Sequence, residues 1–234
     1  MTRDENRAGP PGGDFAAELR GFGLPGIAAI LLILLTGNIF VGDMIALPVG
    51  AVLVLVWARW SRTPWRELGL ARPHRWGLTL AGGVVFGAAL ALLLKAVVKP
   101  LLGIDAVNQP YHFLVGNTAM LPTAVWAMFV AGFGEELVFR GYFFERLGRL
   151  FGSGRGARIA IVLLTSAGFG LAHHANQGPA GVTQGVIVGL TFGTIAMCTG
   201  RIWLLMIAHT AFDLAALTII YLDLETTLAH AVFK

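Results

Sequence analysis

Long apolar runs alternate with short polar connectors along almost the whole chain. The runs occupy positions 24–41, 44–58, 77–98, 119–139, 158–174, 180–199 and 202–222. A membrane-crossing helix needs roughly 17–25 residues, which most of these runs supply, while the second is short. The pattern predicts an all-α, polytopic transmembrane helical bundle of about seven spans, give or take one. Residues 1–22 are polar and rich in Gly, Pro and charge, and no apolar h-region lies within them. They are expected to form a disordered cytoplasmic tail ahead of a transmembrane domain over 23–223, with a C-terminal tail at 224–234.

The connectors set the orientation. Arg59, Arg62, Arg66, Arg72 and Arg75 follow the second run, and Arg146, Arg149, Arg155 and Arg158 follow the fourth. Connector 100–118 has no Lys or Arg, although Lys95 and Lys99 just before it are a counter-signal. Cations concentrate on the cytoplasmic side of membrane proteins, which predicts a cytoplasmic N-terminus and an integral protein of the plasma membrane. Composition agrees: 56% of the 234 residues are hydrophobic and only 13% charged, against about 25% charged in soluble domains. The net charge of +4 resides largely in these connectors, so no nucleic-acid partner is expected. Cys198 is the single cysteine. It excludes an intrachain disulfide and is expected to be a small buried residue.

Glycines shape the sixth run, where Gly181, Gly185, Gly189 and Gly193 recur every fourth residue. They form one smooth stripe, expected to seat another helix, and Gly82, Gly83 and Gly87 in the third run are read the same way.

Three polar groups interrupt the apolar runs: Glu135, Glu136 and Arg140; His173 and His174; His209 and Asp213. An Asp at the centre of a membrane helix costs about 2.5–3.5 kcal/mol on insertion scales, so such groups face an interior and mark function. Glu136 and Arg140 are four apart and can neutralise one another, whereas Glu135 points about 100° away and stays free for chemistry. Phe169 and His173 share a face, as do His209 and Asp213, a pair able to hydrogen-bond each other or to face a common water or metal. Each group alone could be a solvated helix edge or interhelical glue. Together they are the parts that activate a water molecule, as general bases or around zinc.

The ordered segments EELVFR, FGLAH and HTAFD resemble the CAAX-protease and bacteriocin-processing (CPBP, Abi) intramembrane endopeptidases. That family's signature is E-E-x-x-x-R, then F-x-x-x-H, then H-x-x-x-N or H-x-x-x-D on successive helices. The resemblance covers about 119–215 and includes the type II CAAX prenyl proteases. It implies an endopeptidase cleaving a membrane-anchored or membrane-proximal peptide in the lipid bilayer, with Glu135 activating water and His173 and His209 as its partners. Glu136, Arg140 and Phe169 are implied as structural motif residues. Asp213 stands where the eukaryotic prenyl proteases have Asn, which favours a metal-ligand role; His173, His209 and Asp213 are the expected ligands of a divalent metal such as zinc. No organic cofactor is expected. A proton-coupled transporter and a non-catalytic membrane scaffold are the rival readings of the same residues.

Depth raises one difficulty. Counted from the cytoplasmic end at 1.5 Å per residue, His209 and Asp213 lie about 10 and 16 Å into their span and His173 about 22 Å into its own. Glu135 reaches the same level if the fourth helix continues to about Arg146.

Overall fold

The computed structural model describes residues 14–36 and 46–233, and no strand occurs among them. In chain order the main helices are α1 (Phe15–Arg20), α2 (Leu24–Thr36), α3 (Ala46–Trp60), α4 (Trp76–Leu101), α5 (Thr118–Phe151), α6 (Arg155–Ala172), α7 (His174–Thr199), α8 (Trp203–Tyr221) and α9 (Glu225–Val232). Five of them, α4 to α8, are long and apolar enough to cross a membrane, and α2 and α3 are shorter apolar helices. Large apolar side chains such as Val85, Trp126 and Leu163 point outward, as they do where lipid replaces water.

Both ends of the chain depart from the tails the sequence suggests. Residues 1–13 lie outside the described residues, but Asp14 caps α1 through the Ala16 amide at 3.2 Å, and Ala16 and Leu19 are buried. At the other end α9 inserts Glu225, 1% exposed, where the Lys95 ammonium donates to it. The apolar faces of these short segments offset the cost of ordering them. The end of the first apolar run, 37–41, also lies outside the described residues.

Cations sort by end of the bundle. Arg20 pairs with Glu67 and Glu145, Arg149 with the same two carboxylates, and Arg146 with Glu145. The tail and both arginine-rich connectors therefore meet at one end. Lys95 and Lys99 are buried rather than solvated, 6% and 7% exposed. Lys95 is neutralised by Glu225, which removes the counter-signal that the pair gave to topology.

Close packing centres on α8, which lies against α4 and α5, while α6 pairs with α7. A Cβ on Gly87 would stand 1.9 Å from the Ala208 carbonyl oxygen, and one on Gly132 would stand 2.2 Å from Thr210 Oγ1. Only glycine permits these approaches. The stripe on α7 behaves as expected: a Cβ on Gly185 or Gly189 would meet the α6 backbone at Gly170 or Ser166 within 2.9 Å. Near its start α7 breaks at Gly178, φ 59°, a conformation open to glycine, and Pro179 follows. Cys198 is exposed, contrary to the sequence expectation. It sits one residue short of the α7 C-terminus, beside the glycines rather than behind them.

Candidate active site

The fourth run does not end at position 139. Helix α5 continues to Phe151, and from Leu137 to Phe143 it winds as a wider π-helical segment, a feature common at functional sites. This meets the depth condition set by the sequence. Glu135 and Glu136 lie just before the segment and Arg140 lies within it.

Gly132 brings α5 against α8 at Thr210, and Gly87 brings α4 against α8 at Ala208. His209 is clamped between these two contacts and is 4% exposed. Its Nδ1 donates to Glu136 Oε1 at 2.8 Å. The same oxygen accepts from Arg140 Nη1 at 2.9 Å, and Glu136 is fully buried. The expected Glu136–Arg140 pair is present, and its carboxylate has the further task of fixing the imidazole. Such a bond sets which ring nitrogen carries the proton. Arg140 lies 4.3 Å from the Phe169 ring centre, a cation–π contact that gives the aromatic motif position its physical reason.

Fixed in this way, the far edge of His209 faces two carboxylates. Its Nε2 is 3.7 Å from Glu135 Oε2 and 3.7 Å from Asp213 Oδ2. The latter separation exceeds a hydrogen bond, so the direct His209–Asp213 bond that their spacing allows is replaced by His209–Glu136. Neither Glu135 Oε2 nor Glu136 Oε2 has a hydrogen-bond partner in the protein, and of the two residues only Glu135 lines a cavity with His209. His173, at the C-terminal end of α6, has its Nδ1 bonded to the Phe169 carbonyl at 2.8 Å.

Glu135, His173, His209 and Asp213 line one cavity of about 130 Å³. The structure thus gathers all four residues that the sequence singles out. It adds Tyr111 and Asn108 from the connector before α5, and Gln177 and Gln184 from α7. Gln184 was visible as an amide in an apolar run. Tyr111 and Asn108 carried no signal beyond being polar groups in a connector without cations.

The three expected zinc ligands, His173, His209 and Asp213, line this cavity together. Among the described residues no three His, Cys, Asp or Glu side chains form a metal-holding group. Nδ1 of His209 is bonded to Glu136 and Nδ1 of His173 to a carbonyl, so Nε2 is the free ring nitrogen of each.

Residues 117–215 match the family model described as type II CAAX prenyl endopeptidase Rce1-like. The match supports the CAAX-protease family for that stretch. It holds all three motifs and runs from α5 to α8, while Asn108 and Tyr111 lie ahead of it. Neither the curated proteins nor the solved structures gave a match. Similarity to this family points to a peptidase acting in the lipid bilayer on a membrane-associated substrate.

Proposed function

We propose that the protein is an intramembrane endopeptidase in which Glu135 is the general base. The observation that carries this reading is the contrast between adjacent carboxylates. Glu136 commits Oε1 to both Arg140 and His209 and does not line the cavity, whereas Glu135 lines it. A water between Glu135 and the scissile carbonyl gives its proton to Glu135 as its oxygen bonds to the carbonyl carbon. The carbonyl electron pair moves onto oxygen, and the tetrahedral species collapses when the C–N bond breaks. The leaving nitrogen then takes the proton from Glu135. His209, oriented by Glu136, and His173 flank the water, and Asp213 faces His209 Nε2 across the same cavity.

The substrate class is a membrane-anchored or membrane-proximal peptide, of which the prenylated C-termini in the family's description are one kind. The proposed topology has seven spans, with α2 and α3 as the short pair and a cytoplasmic N-terminus in the plasma membrane. The meeting of Arg20, Arg146 and Arg149 at one end of the bundle supports that orientation.

Mass spectrometry of membrane peptides from cells with wild-type protein and cells with Glu135→Gln tests the function. Peptides cut only in the wild type are the expected result. Identical peptide profiles in the two, with both proteins present in the membrane, would overturn it.

A further inference from the structure

Hydrolysis through a tetrahedral species needs a donor for the oxyanion, and the carboxylates of this cavity cannot supply one while ionised, because they only accept. Three carboxylates, Glu135, Glu136 and Asp213, stand around His209. Besides the His209 and His173 imidazoles, a neutral hydroxyl on another wall of the cavity can supply such a donor. The connector that enters it from above supplies an aromatic hydroxyl.

That connector is held from several sides. The Asn108 amide donates to both oxygens of the buried Glu225 carboxylate, at 3.2 and 3.1 Å. The Gly116 amide donates to the Tyr221 carbonyl at 3.0 Å. Leu114 packs with Leu217 and Ile220 of α8, and Tyr111 is set against the same cluster. Gln177 on α7 lines the cavity beside Tyr111. Burial pushes the phenol pKa up, and the negative charges of Asp213 and Glu135 push it further, against a smaller opposing effect of Gln177. Tyr111 thus stays a protonated donor at neutral pH, half-buried and lining the same cavity as Glu135.

We infer that Tyr111 is a catalytic residue of this site, its hydroxyl hydrogen-bonding the oxyanion that forms when water attacks the scissile carbonyl. The phenol donates a hydrogen bond and keeps its proton throughout, so the proton balance set by Glu135 is unchanged. The connector's anchors at Asn108, Leu114 and Gly116 hold the phenol in place. The inference rests on the endopeptidase reading.

The test uses the full-length protein in liposomes. Its probe is a synthetic peptide spanning a bond that is cut in wild-type but not in Glu135→Gln membranes. Tyr111→Phe is expected to lower kcat about 10²- to 10³-fold, the usual cost of one oxyanion donor, with KM nearly unchanged, because the bond forms only in the transition state. Wild-type kcat, or a raised KM at unchanged kcat, would overturn the inference. A ring-fluorinated tyrosine at 111 keeps the shape and the hydroxyl but titrates at lower pH, and it serves where Tyr111→Phe disturbs folding. Its turnover should fall as pH rises through the lowered phenol pKa, since a phenolate cannot donate, and a wild-type pH profile would overturn the inference. If no peptide separates wild-type from Glu135→Gln membranes, the endopeptidase reading itself fails, a result distinct from a Tyr111 failure.

Discussion

The His209 imidazole is fixed from behind by Glu136, Nδ1 to Oε1 at 2.8 Å, so its Nε2 is the edge presented to Glu135 and Asp213. Two neighbouring carboxylates on one helix therefore take different parts. One is buried with a guanidinium and an imidazole, and the other faces the cavity.

Glu135→Gln should keep the protein folded and inserted, because the amide retains the shape and hydrogen-bonding capacity of the carboxylate. Loss of a general base lowers rates about 10²- to 10⁴-fold. Turnover of the cleaved peptide, measured beside a thermal melt in detergent, should show that fall with an unchanged midpoint. Turnover near the wild-type value would remove Glu135 from the mechanism.

Arg140→Ala should behave differently, since it leaves Glu136 buried with only an imidazole for company. Removing one partner of a buried ion pair costs about 3–5 kcal/mol. Both melting temperature and extracted yield should fall together with activity. An inactive Arg140→Ala protein that melts like the wild type would show that the guanidinium serves the chemistry itself.

At the other end of the bundle, Glu225→Ala would leave the Lys95 ammonium buried and unpaired and free the Asn108 amide. A comparable loss of stability is expected. Adding Lys95→Met to Glu225→Met should restore much of it, because apolar replacement of a whole buried pair is often neutral. Melts of the two single variants and the double variant give the cycle. Equal additive losses would mean that the pair is not coupled.

Gly87→Ala would place a methyl 1.9 Å from the Ala208 carbonyl oxygen and push α4 away from the helix that carries His209. Yield and turnover should both drop. Gly168→Ala, with nothing within 4 Å of the added Cβ, is the matched control and should be neutral or stabilising by up to about 1 kcal/mol. Equal effects would mean that the helix contact at Gly87 is not needed.

These contacts also show what the chain reveals before it folds. Helix positions, the Glu136–Arg140 pair and the grouping of Glu135, His173, His209 and Asp213 were legible, because span length and i,i+4 spacing are local properties. The Glu136–His209 bond was not, since it joins residues 73 apart and depends on the approach of α5 and α8 at Gly132. Tyr111 was hidden for a similar reason. The connector's entry into the cavity depends on Glu225, more than a hundred positions later, in a segment that reads as a polar tail. The Lys95–Glu225 pair was hidden for the same cause, since its two members lie 130 positions apart.

Metal dependence can be settled by measurement. Zinc commonly takes three protein ligands and a water, with ligands about 2.0–2.2 Å from the ion. The Nδ1 bonds of His173 and His209 leave both Nε2 atoms free, as in metal-ligating histidines, but no three His, Cys, Asp or Glu side chains among the described residues gather as a metal-holding group. The proposed mechanism asks only for a base, which Glu135 provides, and a donor to the oxyanion. A strong chelator is therefore expected to leave peptide turnover unchanged in purified, liposome-embedded protein, with zinc well below one per chain by elemental analysis. Loss of turnover that added zinc restores, together with stoichiometric metal, would return His173, His209 and Asp213 to the ligand role.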